Sequence, residues 1–192
     1  MKITKLAFGI LATTPLLFAG HAKAASLIGD TIDIDFFQGD LDTPFGGTIT
    51  LPVIEGTDDA ATIPINEFFN VTINPEAESI VIDLITNCDC EGGVRFFETD
   101  FTGAVFSDFD WMDNPRKIVG VEVLSELSGV DDTRVTFDSD LVRFNIAGLT
   151  VPSGSSRVTL NLETETVPEP FSLFGTSLAM GLGLLINKQK KS

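Results

Sequence analysis

Carboxylates are the abundant chemistry-bearing side chains of this 192-residue chain, with 28 Asp and Glu against 12 Lys and Arg. Asp108, Asp110 and Asp113 fall in one short stretch, and hard oxygen ligands of this kind suit Ca²⁺. Asp131, Asp132, Asp138 and Asp140 form a second group. Neither group has the Asp/Asn spacing, central Gly and closing Glu of an EF-hand loop. Asp is also a common turn residue, so a Ca²⁺ site and a solvated turn are both readings of these stretches. Trp111, the one tryptophan, lies inside the first group and could stack on a sugar ring or fill a core. Paired carboxylates could also hydrolyse a glycosidic bond, although linear order does not say which two would face each other.

The partners that other chemistries need are missing. His21 is the only histidine, and the chain has no tyrosine. Downstream of residue 24 nothing can act as an imidazole base, so Ser–His–Asp and Cys–His nucleophiles are excluded there. Lys117 is the one lysine between residues 25 and 170. No Gly-x-Ser-x-Gly elbow and no phosphate-binding glycine loop occurs. The sequence therefore assigns no catalytic residue, and Ca²⁺ is the only cofactor it suggests.

Cys88 and Cys90 sit in Asn87-Cys88-Asp89-Cys90-Glu91-Gly92-Gly93, which reads as a turn between strands. Residues i and i+2 of an extended chain face the same side, so a Cys88–Cys90 disulfide is feasible but tight and would close a very small loop. A zinc site would need further ligands. Redox chemistry commonly uses Cys-x-x-Cys instead.

The elements that position these residues read as strands. Thr31-Ile32-Asp33-Ile34-Asp35-Phe36 alternates with period two. Further strands are expected over 48–54, with Pro52 marking an edge or bulge, and over 67–73, 79–86, 94–98, 117–124, 134–138, 141–146 and 157–163. Gly, Asn, Asp and Pro punctuate them, and amphipathic helices are absent. The expected fold of residues 25–166 is all-β: a single antiparallel β-sandwich, jelly-roll-like.

The two ends read differently. Lys2 and Lys5 precede an apolar stretch from Leu6 to Ala19, and Ala22-Lys23-Ala24 follows with the small-x-small pattern of a signal-peptidase site. Residues 1–24 are expected to be a signal peptide cleaved between Ala24 and Ala25. At the other end Val167-Pro168-Glu169-Pro170 breaks the last strand. The span 171–186 holds 16 residues without charge, and 187–192 carries Lys188, Lys190 and Lys191. As a helix the span would cover about 24 Å, short of a typical bilayer core. The lysines should stay cytoplasmic, leaving the body of the protein outside the inner membrane.

Val-Pro-Glu-Pro, a short apolar span and a basic end together resemble the PEP-CTERM sorting signal of Gram-negative bacteria. The resemblance covers residues 167–192. It implies recognition near Pro168, Glu169 and Pro170 by an exosortase, a membrane-embedded cysteine protease or transpeptidase. It also implies association with exopolysaccharide or biofilm matrix. Lysines replace the family's more usual arginines, which preserves the charge logic, and Phe171 stands where a small residue is more usual. Phe109-Asp110-Trp111-Met112-Asp113, Ile118-Val119-Gly120-Val121 and Phe144-Asn145-Ile146-Ala147-Gly148-Leu149 are similar to stretches of short PEP-CTERM proteins.

Six of the 12 basic residues lie in the two end segments, and every acidic residue lies in 25–170, which leaves that region a net charge of −22. Nucleic acid and anionic membrane surfaces are excluded as partners by that balance. Solubility and divalent-cation or cation-bridged glycan contact both fit it. The expected protein is exported across the inner membrane, held there first by its C-terminal span, then released to the cell surface or extracellular matrix. It would act there without enzymatic activity, in contact with exopolysaccharide. The alternative is a small secreted two-carboxylate glycan hydrolase.

Overall fold

The computed structural model describes residues 26–54, 60–109, 111 and 115–167. The chain opens with β1 (Thr31–Gly39), the edge strand β2 (Ile49–Pro52) and β3 (Ala61–Asn66). β4 (Phe69–Pro75), β5 (Ser79–Thr86), β6 (Val94–Arg95) and β7 (Phe101–Ser107) follow. After β8 (Arg116–Ser125) a single 3₁₀ turn at Asp132–Arg134 leads into β9 (Val135–Asp138) and β10 (Leu141–Asn145). β11 (Thr150–Val151) and the long β12 (Gly154–Thr166) complete the order. Among the described residues there is no α-helix, and no helix long and apolar enough to cross a membrane.

Two five-stranded antiparallel sheets carry the fold, in the orders β2-β1-β7-β10-β9 and β3-β4-β5-β12-β8, with β6 and β11 forming a small third pair. One apolar cluster draws on both five-stranded sheets. Ile32, Ile34, Phe36, Phe106, Val142 and Phe144 come from the first, and Val71, Ile73, Ile80, Ile82, Leu84, Val158 and Leu160 from the second. In most of these strands alternate side chains enter the cluster, as a half-buried strand requires. Phe96, just past β6, closes one end by packing edge-on against Phe69 with ring centroids 4.7 Å apart.

β7 and β3 were not expected from the sequence. β7 is buried along nearly its whole length, so it reads as an apolar run without alternation. It is the middle strand of its sheet and has apolar cover on both faces: Ala104 and Phe106 enter the main core, and Phe101 and Val105 join Phe37 and Leu141 in a second cluster outside. β3 carries Pro64, which reads against a strand and is tolerated because β3 is an edge. The turn residues 152–154 hide the start of β12, where buried Thr86 accepts from the Gly154 N–H at 2.7 Å and donates to the Pro152 and Gly154 carbonyls.

Gly103 allows β7 to approach β10. Its φ is +157°, and a Cβ placed there would run into the Phe144 carbonyl. At Gly120 on β8 an added Cβ meets first the Glu163 carboxylate, the far end of a flexible side chain that can rotate away. Gly103→Ala should therefore destabilise the domain by about 1–3 kcal/mol, the range for strained or overpacked sites. Gly120→Ala should stay within about 0.5 kcal/mol of the parent protein. Urea midpoints at unchanged m-value measure both, and equal midpoints for the two variants would contradict the close-approach reading.

Candidate functional site

The outer face of the sheet that contains β7 holds the most site-like arrangement among the described residues. Register places Asp35, Val105, Arg143 and Thr136 in one row across β1, β7, β10 and β9. The next row carries Phe37, Gly103 and Asn145. Buried Phe101, two residues before Gly103 on the same strand, lines the groove beside these rows. The loop after β1 adds Asp40 and Leu41, the residue before β7 adds Asp100, and the 3₁₀ turn adds Thr133 and Arg134. Together they line an open groove of about 530 Å³.

Each wall has a local reason for its place. Asn145 is fully engaged: Oδ1 accepts from the N–H groups of Thr102 (3.2 Å) and Ala147 (2.9 Å), and Nδ2 donates to the Asp100 carbonyl (3.2 Å). It fixes the loop that carries Asp100 against the end of β10. Asp131 caps the 3₁₀ turn, accepting from the Thr133 N–H at 2.9 Å and from its hydroxyl. Arg134 closes that turn and donates to the Ala147 carbonyl at 2.6 Å, which tethers the groove wall to the far side of Asn145. Arg143 is half-buried between Val105 and Thr136. Among the described residues its side chain makes no hydrogen bond or ion pair.

A smaller pit of about 90 Å³ opens between the sheets at the same end, lined by Gln38, Ile65, Val94, Phe96 and Thr102. Phe97, 80% exposed, stands at its mouth.

The residues singled out by sequence are distributed differently. Asp108 is exposed, with a left-handed φ of +59° directly after β7, while Asp110 and Asp113 lie outside the described residues. Trp111 is half-buried, packed against the core and stacked on Phe109 with centroids 6.0 Å apart. Asp131 is committed to its cap, and Asp138 and Asp140 flank the β9–β10 turn. Among the described residues no three His, Cys, Asp or Glu side chains converge as a metal site would require. Cys88 and Cys90 are joined in a disulfide with Cα atoms 5.1 Å apart, and the Cys88 carbonyl accepts from the Ser153 hydroxyl at 2.7 Å. The pair stiffens the β5–β6 loop beside the start of β12. Val167 is the last described residue, its N–H donating to the Pro115 carbonyl at 2.8 Å. Pro168, Glu169 and Pro170, like Ala22, Ala24 and Ala25, lie outside the described residues.

The groove was not found from the sequence because its residues are scattered from position 40 to 145 and meet only through the β1-β7-β10-β9 pairing. The single local signal was Asn145 inside the 144–149 stretch. Set against known protein families, curated proteins and solved structures, the chain matches none of them.

The Thr133 hydroxyl and backbone N–H hold the Asp131 carboxyl below its ordinary range, with smaller help from Arg134. A carboxyl depressed in the folded state stabilises fully above its unfolded value, about 3.9, and loses that contribution as pH falls through the folded value. The urea midpoint of Asp131→Ala should thus lie below that of the parent protein at neutral pH, and the gap should close on acidification below about pH 4. A gap that stays constant with pH would show that the carboxylate is not what the turn uses.

Proposed function

We propose that the chain is an exported surface or extracellular-matrix protein that associates non-enzymatically with exopolysaccharide. Residues 1–24 direct export, and 167–192 form a PEP-CTERM-type sorting tail processed by an exosortase. The observation that carries this reading is the order at the C-terminus: Val167-Pro168-Glu169-Pro170, an uncharged 16-residue span, then three lysines. Between the two targeting segments stands a β-sandwich with a jelly-roll-like character, whose outer-face groove is the surface offered to glycan.

The geometry of the described residues supports the reading. Leu27 donates to the Ala77 carbonyl in the β4–β5 turn, and Leu162 donates to the Glu78 carbonyl in the same turn. The chain therefore enters, and β12 runs out, at one end of the sheets. The disulfide loop, the pit and the loops around the groove gather at the other end of β5, about 25 Å away for an eight-residue strand. A domain tethered through residue 167 would present that end outward. The strongly acidic surface suits a protein that must stay soluble outside the cell.

Asp40 and Asp100 in the same groove favour a second reading, a two-carboxylate glycan hydrolase. Both are exposed, whereas a carboxyl that serves as general acid is ordinarily set in apolar surroundings. The domain purified from residue 25 to 167 should be retained on exopolysaccharide from the producing cells and release it intact. Absence of retention, with and without added Ca²⁺, would overturn the matrix reading. Fragmented polysaccharide that becomes intact with Asp40→Asn or Asp100→Asn would establish the hydrolase instead.

A further inference from the structure

We infer that the groove is a subsite for an isolated uronic-acid residue within a largely neutral glycan, with Arg143 taking the carboxylate; this rests on the exopolysaccharide reading and names its ligand. Residues 25–170 contain only six basic side chains among 28 acidic ones. Five of the six are engaged within the protein. Arg95 pairs with Glu98, Lys117 with Glu165, and Arg157 bidentately with Asp83 at 2.8 Å for each bond. Arg134 donates to the Ala147 carbonyl and Arg116 to the Thr164 hydroxyl. Arg143 alone is without such a partner among the described residues, although carboxylates outnumber it on every side.

Its position makes that exception informative. Arg143 is half-buried in the groove lining with Val105 and Thr136 as its register partners, and neither Asp40 nor Asp100 forms an ion pair with it. A planar fork of donors in the lining of an open groove is suited to a carboxylate, which it can hold through two parallel bonds. The rest of the lining fits a sugar ring. The Thr136 hydroxyl can meet ring hydroxyls, and Leu41, 46% exposed, offers apolar contact to a pyranose face.

The acid surroundings set the density of charge on the ligand. A polyuronate would bring further carboxylates, spaced within about one Debye length of 8 Å of each other, against Asp40, Asp100 and a domain whose residues 25–167 carry a net charge of −21. A single carboxylate among neutral sugars satisfies Arg143 without that repulsion.

Isothermal titration of the domain tests the assignment with two probes, neutral xylotriose and the xylo-oligosaccharide of the same length carrying one glucuronic-acid branch. The branched acid should bind at least about tenfold more tightly, the scale of one charge-assisted pair. Arg143→Met should abolish that preference while leaving weak neutral binding. Arg143→Lys should recover only part of it, because the ammonium lacks the fork. Arg157→Met, on the other sheet, should leave the preference unchanged and controls for folding. Equal binding of the two probes, or a preference that survives Arg143→Met, would overturn the inference. Retention on native exopolysaccharide that is indifferent to Arg143→Met would do so too, while leaving the matrix reading intact. Loss of retention by the parent domain, alongside an Arg143-dependent uronate preference, would overturn the matrix reading and leave the subsite standing.

Discussion

The layer of Phe36, Phe106, Phe144, Ile82 and Leu160 between the two five-stranded sheets governs the remainder of the molecule. Each of these side chains removed from water stabilises the fold by about 1.5–3 kcal/mol. A strand slipped by one residue would turn its whole apolar set outward. The layer therefore fixes register in both sheets, and register decides what the outer faces display. β7 extends the constraint. Covered on both faces, it plants Phe101 and Val105 outside as firmly as Ala104 and Phe106 inside. The outer pair, with Phe37 and Leu141, forms a second apolar cluster, and its Phe101 lines the groove. Gly103 allows β10 to come close enough to place Arg143 beside it.

Charge is arranged around that scaffold in a consistent way. Apart from buried Asp30, the described acidic residues occupy turns and outward-facing strand positions, where water solvates them. Asp33 and Asp35 on β1 accept from the hydroxyls of Thr50 on the edge strand and Thr48 just before it, so even the acids of the sheet face are tied down by neutral donors. The few cations are distributed as internal fasteners: Arg157 ties β12 to β5 across the second sheet, and its proximity to Asp83 strengthens its hold on its proton. Such exposed pairs contribute little stability individually. Their effect is to leave one guanidinium uncommitted among the described residues of a domain otherwise dominated by carboxylates.

The sequence made the half-buried strands legible because one face of each meets the core and the other meets water. β1 and the later part of β12 show that alternation in their residues, and Pro52 read as an edge or a bulge, of which the pairing shows the edge. β7 escaped because two buried faces erase alternation, and β3 because Pro64 mimics a break that an edge strand tolerates. Asp131 and its neighbours stood out in the sequence by composition, yet Asp131 is occupied in capping a turn. Arg143 carried no linear signal at all. Its significance lies in the absence of a partner, which depends on contacts between residues a hundred positions apart. The terminal segments are the opposite case: their information is in order and composition, and pairing adds nothing to it.

The described chain begins and β12 runs out at the same end of the sheets, and the groove loops gather at the other. The most direct test is the intact mass of the protein recovered from producing cells, fraction by fraction. A surface or medium form beginning at Ala25 and ending within Val167–Pro170, with or without added anchor or glycan mass, is the result this account predicts. A form that retains the chain through Ser192 in the inner membrane would contradict it.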